Sequence, residues 1–596
     1  MSVYENMRTA DIVAEALLDW KVDIIFGLPG DGINGFIESL RRRQDKIKFI
    51  LVRHEESAAF MACAYAKYTG ELGACVATSG PGAIHLLNGL YDAKADNTPV
   101  IAITGTTYSD LMNSSYQQDV NLLQLYSDVA VYNDMISVPE QAEMAVDIAC
   151  RTALAQRGVS HLTIPIDVQE KKLNGKYSRH NIAYHTSDVY VAETIPSHRL
   201  IEKAAEILNA GSRIVLLVGQ GALESGEEVL AIAEKLGAPV VKALLGKAVI
   251  PDDNPYTTGG LGLLGTTPSS DAMDEADTLL MVGTSFPYID YLPKLGKARG
   301  IQIDIKPEKI GLRYPVEIGL VGDSKLILTE LLPLLHQHDL GFLKSMQDSM
   351  KKWNRLMLEQ STRTDKPIKP QVIAKAVSDE LDDDAIISVD CGTNTSWAAR
   401  HIDIRKGMKF SVSGTLSSMA NALPYAIAAQ IAFPERQSVA FVGDAGLTML
   451  MGEFATAVQY SLPIKVIVIK NNTLGMIRWE QMAFLGNPEY GVEFSPIDWV
   501  KFAEACGGKG YAIKEPSEVK SIMSQAMKER KQPTIIEAYV DPFEPPIPPK
   551  VEMEFVKELA KSFAKGQPYA KRIGLTLYRD QVHNILKNIH KHHIDN

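Results

Sequence analysis

From Asp23 to Thr104, short apolar runs alternate with Gly-rich or polar turns and helical stretches. The runs DIIF, KFILVR, ACVAT and VIAIT read as strands, and helical spacing falls at 55–68 and 82–95. This order predicts a mainly parallel sheet with helices on its faces. The block closes near LTIPIDV (162–168), and a polar stretch around 170–195 reads as a linker. A second block opens with the helix SHRLIEKAAEILNAG, capped by Ser197 and stopped by Gly211, and continues through IVLLVG, LLMVG and IQIDI to about Leu335. The polar helical connector KSMQDSMKKWNRLMLEQSTRTDKP leads to a third block, from AIISVD through SVAFVGDAG and IKVIVIKNN to TIIEAYV. The predicted fold class is α/β, with three consecutive doubly wound parallel-sheet domains at 1–180, 190–345 and 365–545.

Prolines 542, 545, 546, 548 and 549 forbid a continuous helix after Val540, so the last domain ends there. The tail, 546–596, includes the helical candidate LYRDQVHNILKNIHKHH. A polar helix docked on its own protein is one reading of it. A membrane-surface or regulatory segment is the other, because a basic helix with one apolar stripe can lie on anionic lipid.

With 596 residues, 46% hydrophobic and 22% charged, the composition excludes a largely disordered chain and a fibrous repeat. A net charge of −11 argues against nucleic acid as the main partner. No apolar run reaches the roughly 18 residues that span a bilayer. The start, MSVYENMRTADIVAEALLDW, lacks a basic flank followed by an apolar core, which gives a cytoplasmic expectation. Five scattered cysteines without a CxxC pair imply neither a disulfide framework nor a zinc cluster.

The strongest chemical signal is SVAFVGDAGLTMLMGEFATAVQYSLPIKVIVIKNNTLGM. A strand delivers Gly443, Asp444, Ala445 and Gly446 onto a helix start, where free backbone N–H groups suit phosphate. Asp444 and Asn471, 27 residues apart, offer the hard oxygen ligands that Mg²⁺ prefers when it also bridges phosphates.

At these residues the chain resembles the thiamine-diphosphate enzyme family, whose signature is GDG, about 27 residues, then Asn. The resemblance implies Mg²⁺ ligands at Asp444, Asn471 and the Thr473 carbonyl, with Ala445 standing where the family usually has glycine. It places the cofactor-activating carboxylate in VRHEESAAFMACAYA, at Glu55, with Glu56 as the adjacent alternative. Met419 in SSMANALPYAIAAQ would be the apolar residue around which the cofactor bends, and the Ser417 carbonyl would accept from its aminopyrimidine. Gly392 and Thr393 fall where similar enzymes bind the diphosphate from its other side. The family builds each site from two chains, which implies a homodimer at least and a tetramer by habit.

Within the family the chain looks most like the FAD-dependent pyruvate oxidases, including the quinone-reducing enzymes. His85 and Glu480 are the pyruvate-oxidase choices; acetohydroxyacid synthases carry a non-histidine residue and tryptophan at these places, and here Trp479 lies one position earlier. Tyr116-Gln117 stands at the family's substrate-proximal Phe-Gln. In the middle block, Gly219, Gly221, Lys247, Gly262, Gly265, Gly283, Thr284, Phe286 and Asp304 look as a set like an FAD-binding domain.

The resemblance thus implies oxidative decarboxylation of pyruvate to acetate and CO₂ through hydroxyethyl-thiamine diphosphate. Electrons pass to FAD and then to a quinone, with a possible peripheral membrane contact through the tail. The alternatives are an oxygen-dependent oxidase forming acetyl phosphate, an acetolactate synthase-type carboligase with structural or no FAD, and a non-catalytic cofactor-binding regulator.

Overall fold

The three blocks of alternating strand and helix become three six-stranded parallel sheets in the computed structural model, which describes residues 4, 6–174, 187, 193–550 and 553–580. The first sheet holds β1 (Ile24–Gly27), β2 (Lys48–Leu51), β3 (Gly73–Ala77), β4 (Val100–Thr106), β5 (Ala130–Met135) and β6 (Val159–Pro165) in the order 2-1-3-4-6-5. The second holds β7 (Ile214–Val218), β8 (Val240–Lys242), β9 (Thr257–Gly260), β10 (Thr278–Val282), β11 (Arg299–Asp304) and β12 (Ile318–Val321) in the order 12-11-10-7-8-9. The third holds β13 (Ile386–Val389), β14 (Lys409–Val412), β15 (Ser438–Gly443), β16 (Lys465–Lys470), β17 (Lys509–Ile513) and β18 (Thr534–Tyr539) in the order 14-13-15-16-18-17. The first and third sheets therefore share one topology, and the second has another.

Central strands such as β3, β4, β7, β10, β13 and β16 are buried along their whole length. Helices cover both faces of each sheet, so these strands read as mostly apolar runs rather than alternating ones. The helix expected over 55–68 is Glu55–Thr69, closed by Gly70 in the left-handed conformation (φ 80°). That expected over 82–95 is two helices, Pro81–His85 and Leu87–Ala95, the first opened by a proline whose fixed φ suits that position.

The second block starts with helix His198–Ala210, but Ser197 makes no side-chain cap hydrogen bond and Gly211 is extended (φ −70°). Its amphipathic packing, with Ile201, Ala204, Ile207 and Leu208 buried, holds it instead. Most of the 170–195 linker lies outside the described residues.

The first and third domains share a core. Helix Glu55–Thr69 packs on the alanine-rich helix Ala422–Ala432, and both helices belong to one buried apolar cluster. The second domain is tied to the third by buried polar groups. The Asp252 carboxylate accepts from Lys247 Nζ (2.7 Å) and from the Ile404 N–H (2.8 Å). Arg400 spends its guanidinium on the carbonyls of Leu263, Leu264, Gly265 and Ile547.

Beyond the proline-rich segment, helices Met553–Ala564 and Ala570–Asp580 dock on the third domain. Leu559, Ile573 and Leu577 pack with Trp479, Met482, Ala483, Phe543 and Ile547. The helical candidate at 577–593 is described only as far as Asp580. Among the described residues no helix is long and apolar enough to cross a membrane.

Ala426 is fully buried in helix Ala422–Ala432. Ala426→Leu should cost about 1–3 kcal/mol by overpacking. It is expected to lower the urea midpoint of the transition in which the first and third domains unfold.

Candidate active site

Parallel strands bring their carboxyl ends to one edge of a sheet, and the chain leaves a crevice where its winding reverses direction. In the third sheet that reversal lies between β13 and β15. The turns leaving these strands are Asp390-Cys391-Gly392 and Gly443-Asp444. Helix Thr393–His401 starts from Gly392 (φ 141°), helix Asp444–Met449 from Gly443, and helix Gly475–Trp479 from Leu474. All three starts line one cleft of about 950 Å³. Their first-turn N–H groups lack intrahelical acceptors, which suits a phosphate-bearing ligand.

The polar groups in this cleft are set close together. The Asp444 carboxylate accepts from the Asn472 N–H (2.7 Å) and the Ala445 N–H (3.0 Å). Burial nevertheless raises its carboxyl to about 6. Among the described residues no lysine or arginine forms an ion pair with it, and a divalent cation is the partner such a carboxylate lacks. Asn471 lines the cleft with its Oδ1 accepting from the Thr473 N–H (3.1 Å), whereas Asn472 takes the left-handed turn (φ 55°) and does not line it. A Cβ on Gly475 would lie 3.1 Å from Thr393 and 3.2 Å from Asn471 Nδ2, so glycine leaves room there for a ligand. Behind the turn, Asp390 is fully buried with Oδ1 accepting from the Cys391 N–H (3.0 Å), and burial raises its carboxyl to about 7. Ser417 and Met419, on the loop after β14, also line the cleft.

The middle sheet, read from its other edge, has the strand order 3-2-1-4-5-6 of dinucleotide-binding folds. Its reversal lies between β7 and β10, and the turns after them, Gly219-Gln220-Gly221 and Gly283-Thr284, open into the same cleft. A Cβ on Gly283 (φ 57°) would sit 2.4 Å from the Gly221 carbonyl carbon, and one on Gly221 would sit 2.8 Å from the Gly283 Cα. Only glycines allow these two backbones to meet. Phe286 and Asp304 also line the cleft, and burial raises the Asp304 carboxyl above its ordinary range.

Three of the middle-domain residues predicted from the sequence sit elsewhere. Lys247 is held by Asp252 and the Ala399 carbonyl (3.1 Å), away from the cleft. Gly262 (φ 92°) and Gly265 shape the loop whose Leu261, Leu263 and Leu264 form the wall. Asp96, Asn97, Arg157, Lys306 and Lys309 also line the cleft and were missed by sequence reasoning. Lys306 and Lys309 follow β11 in IDIKPEK, a cluster of charge at a strand end that could have drawn attention. Asp96, Asn97 and Arg157 come from the first domain and carried no local signal.

Glu480 lines the cleft from a π-helical turn, Glu480–Phe484. Trp479 is turned the other way, buried among the C-terminal helices.

Glu55, His85 and Gln117 do not line this cleft. Glu55 is buried as the first residue of its helix, with Oε2 2.9 Å from His85 Nδ1. The His54 and His85 rings stack with centroids 4.5 Å apart. The loop carrying Gln117, itself exposed, is fixed by Ser79 Oγ donating to Gln118 Oε1 (2.6 Å). Glu56 faces a different way, accepting from Asn88 Nδ2 (2.7 Å). The predicted site therefore divides in two within one chain: a cleft built mainly by the second and third domains, with Ala95 to Asn97 and Arg157 of the first at its wall, and a Glu55–His85 pair outside it.

Comparison with known proteins matches residues 7–125 to the N-terminal TPP binding domain of thiamine pyrophosphate enzymes, 201–331 to their central domain, and 390–538 to their C-terminal TPP binding domain. The Bacillus subtilis protein named "Putative thiamine pyrophosphate-containing protein YdaP" is 40% identical over 94% of this chain and 96% of its own length. The pyruvate oxidase of Lactiplantibacillus plantarum is 30% identical, covering 90% and 89% of the two chains. The acetolactate synthase large subunit of Haemophilus influenzae is also 30% identical, covering 94% and 99%. With all three domains matched in order, the chain belongs to the thiamine pyrophosphate enzyme family.

Proposed function

We propose that the protein oxidatively decarboxylates pyruvate to acetate and CO₂, using thiamine pyrophosphate with Mg²⁺ and FAD, and passes the electrons to a quinone. One observation carries this reading. The carboxyl ends of a dinucleotide-type sheet and of the thiamine-binding third sheet open into one cleft of about 950 Å³, so two cofactors fit in one chamber. When bound, thiamine pyrophosphate supplies the carbanion and electron sink for decarboxylation, and the flavin accepts two electrons.

The residues of the chain divide the remaining work. Asp444, Asn471 and the Thr473 carbonyl fit a Mg²⁺ ion, and the helix starts at Gly392 and Gly443 fit the diphosphate. Gly219, Gly221, Gly283 and Thr284 fit the flavin's pyrophosphate. Glu55 is the carboxyl that exchanges a proton with the aminopyrimidine, and His85 at 2.9 Å orients it.

Because Glu55 lies outside its own chain's cleft, the reading requires a second copy to supply it, and a homodimer is the smallest active unit. Exposed apolar side chains on both halves support this. Phe484 (52% exposed) and Leu485 (62%) rim the cleft, and Ile84 (44%) and Tyr116 (47%) immediately precede His85 and Gln117 in sequence.

Glu480 in the cleft, with Trp479 turned into the core, supports the oxidase over the carboligase, in which tryptophan is expected at the cleft position. The relative named pyruvate oxidase is consistent with this choice. Quinone is preferred to oxygen because SMANALPYAIAA, PERQ and TMLMGEF look most like the quinone-reducing enzymes.

An anaerobic visible spectrum of the protein with thiamine pyrophosphate and Mg²⁺ is expected to lose its oxidised-flavin band on adding pyruvate. An unchanged band with CO₂ and acetolactate formed would instead make the protein a carboligase. Glu55→Gln should reduce turnover by about 10²–10⁴-fold while FAD stays bound, as for loss of an acid–base group; undiminished steady-state activity would refute its role. Gly221→Val, whose side chain must collide with Gly283, should release the flavin on gel filtration yet leave binding of thiamine pyrophosphate with Mg²⁺ intact.

A further inference from the structure

The loop from Ser413 to Ala420 carries Ser417 and Met419 and forms one wall of the cleft. Its backbone is left-handed at two non-glycine residues, Ser417 (φ 58°) and Ala420 (φ 73°), on either side of Met419. Such conformations cost free energy and persist only where surrounding contacts enforce them.

The enforcing contacts come from the first domain. The Asp96 carboxylate accepts from the Gly414 N–H at Oδ2 (3.0 Å) and from the Thr415 N–H at Oδ1 (2.9 Å). The buried Lys67 ammonium has three N–H donors. They go to Asp96 Oδ2 (2.7 Å), the Tyr425 hydroxyl (2.7 Å) and the Val412 carbonyl (3.1 Å), where β14 runs into the loop. Tyr425 donates in turn to Asp92. At the far end of the loop, Asn88 Nδ2 donates to Ser418 Oγ (2.9 Å) and the Ser418 N–H to Ser413 Oγ (2.9 Å). Burial by itself would raise the Asp96 carboxyl; the Lys67 charge and these N–H donors bring it below its ordinary value and keep it ionised.

We infer that Asp96, charged and aimed by Lys67, is a positioning residue for the cofactor. It fixes the Gly414–Thr415 backbone so that the Ser417 carbonyl and the Met419 side chain stand where the pyrimidine end of thiamine pyrophosphate must lie. The inference rests on the thiamine reading of this cleft and adds a role for two buried first-domain residues that do not touch the diphosphate end. The diphosphate is served by different elements, the helix starts at Gly392 and Gly443 and the ligands Asp444 and Asn471. The two ends of the cofactor should therefore respond separately to a change at Asp96.

The test measures the Kd of two probes, thiamine pyrophosphate and inorganic pyrophosphate, each with Mg²⁺, on the full chain by calorimetry. In Asp96→Asn an amide N–H would face the donors that the carboxylate now satisfies. Thiamine pyrophosphate should then bind about tenfold or more weakly, on the scale of one lost charge-assisted hydrogen bond. Inorganic pyrophosphate should change by no more than about twofold.

If Asp96→Asn alone does not fold, because Lys67 is left without its carboxylate, the double variant Lys67→Met/Asp96→Asn removes both charges and should show the same split. Equal weakening of both probes, no weakening of either, or failure of both variants to fold overturns the positioning role and leaves a structural bridge. Failure of the unmodified protein to bind thiamine pyrophosphate, with inorganic pyrophosphate still bound, overturns the thiamine reading and this inference with it.

Discussion

The carboxyl ends of parallel strands all face one way, and this constraint organises the protein. Every crossover returns the chain to the opposite edge of its sheet, so each functional turn emerges on one side. The middle and third sheets then point those sides at each other. Gly221 and Gly283 of the middle domain and Gly392, Gly443 and Asp444 of the third all line the resulting cleft. Removing a side chain from the turns after β7 and β10 is the cost of letting backbone N–H groups approach a ligand, and the near-overlap at Gly283 shows how little space remains.

The same burial that stabilises the sheets raises the energy of ionised groups at their ends. Asp390 and Asp444 sit at the ends of two strands of one sheet, and burial raises both carboxyls, to about 7 and about 6. Among the described residues neither forms an ion pair with a basic side chain, whereas Lys470 is paired with Glu537 one strand away. Asp444 faces the cleft, where a divalent cation would supply the positive charge that this carboxylate favours.

The domain contacts make the cleft a property of the whole chain. The shared core between helices Glu55–Thr69 and Ala422–Ala432 sets the position of the first domain, whose residues from Ala95 to Asn97 close one wall. Helix Glu55–Thr69 thereby carries Glu55 at its outer end and Lys67 against the cofactor loop. The C-terminal helices buttress the π-helical turn bearing Glu480 by burying Trp479 and Met482 behind it. A regular α-helical turn would rotate these side chains differently, and π-helical turns are frequent where such a register matters.

Local sequence determined the strands, the crossovers and the chemistry of each strand end. Buried parallel strands are predominantly apolar, and GDAG with its asparagine 27 residues later lies within one crossover, from the end of β15 to the end of β16. Edge strands such as β5 (AVYNDM) and β17 (KGYAI) were not legible, because one side of each meets solvent and tolerates polar residues. Helix Met553–Ala564 was likewise hidden, its apolar stripe acquiring meaning only from the surface it covers. Tertiary structure alone decided that Lys247 serves Asp252 rather than the cleft, that Glu480 and not Trp479 faces it, and that Glu55 stands apart from the residues around Asp444. It also brought Asp96 to the loop of Met419, more than 300 positions away in the chain. Periodicity records whether a residue is buried, but not against what; that depends on long-range packing, which no local pattern encodes.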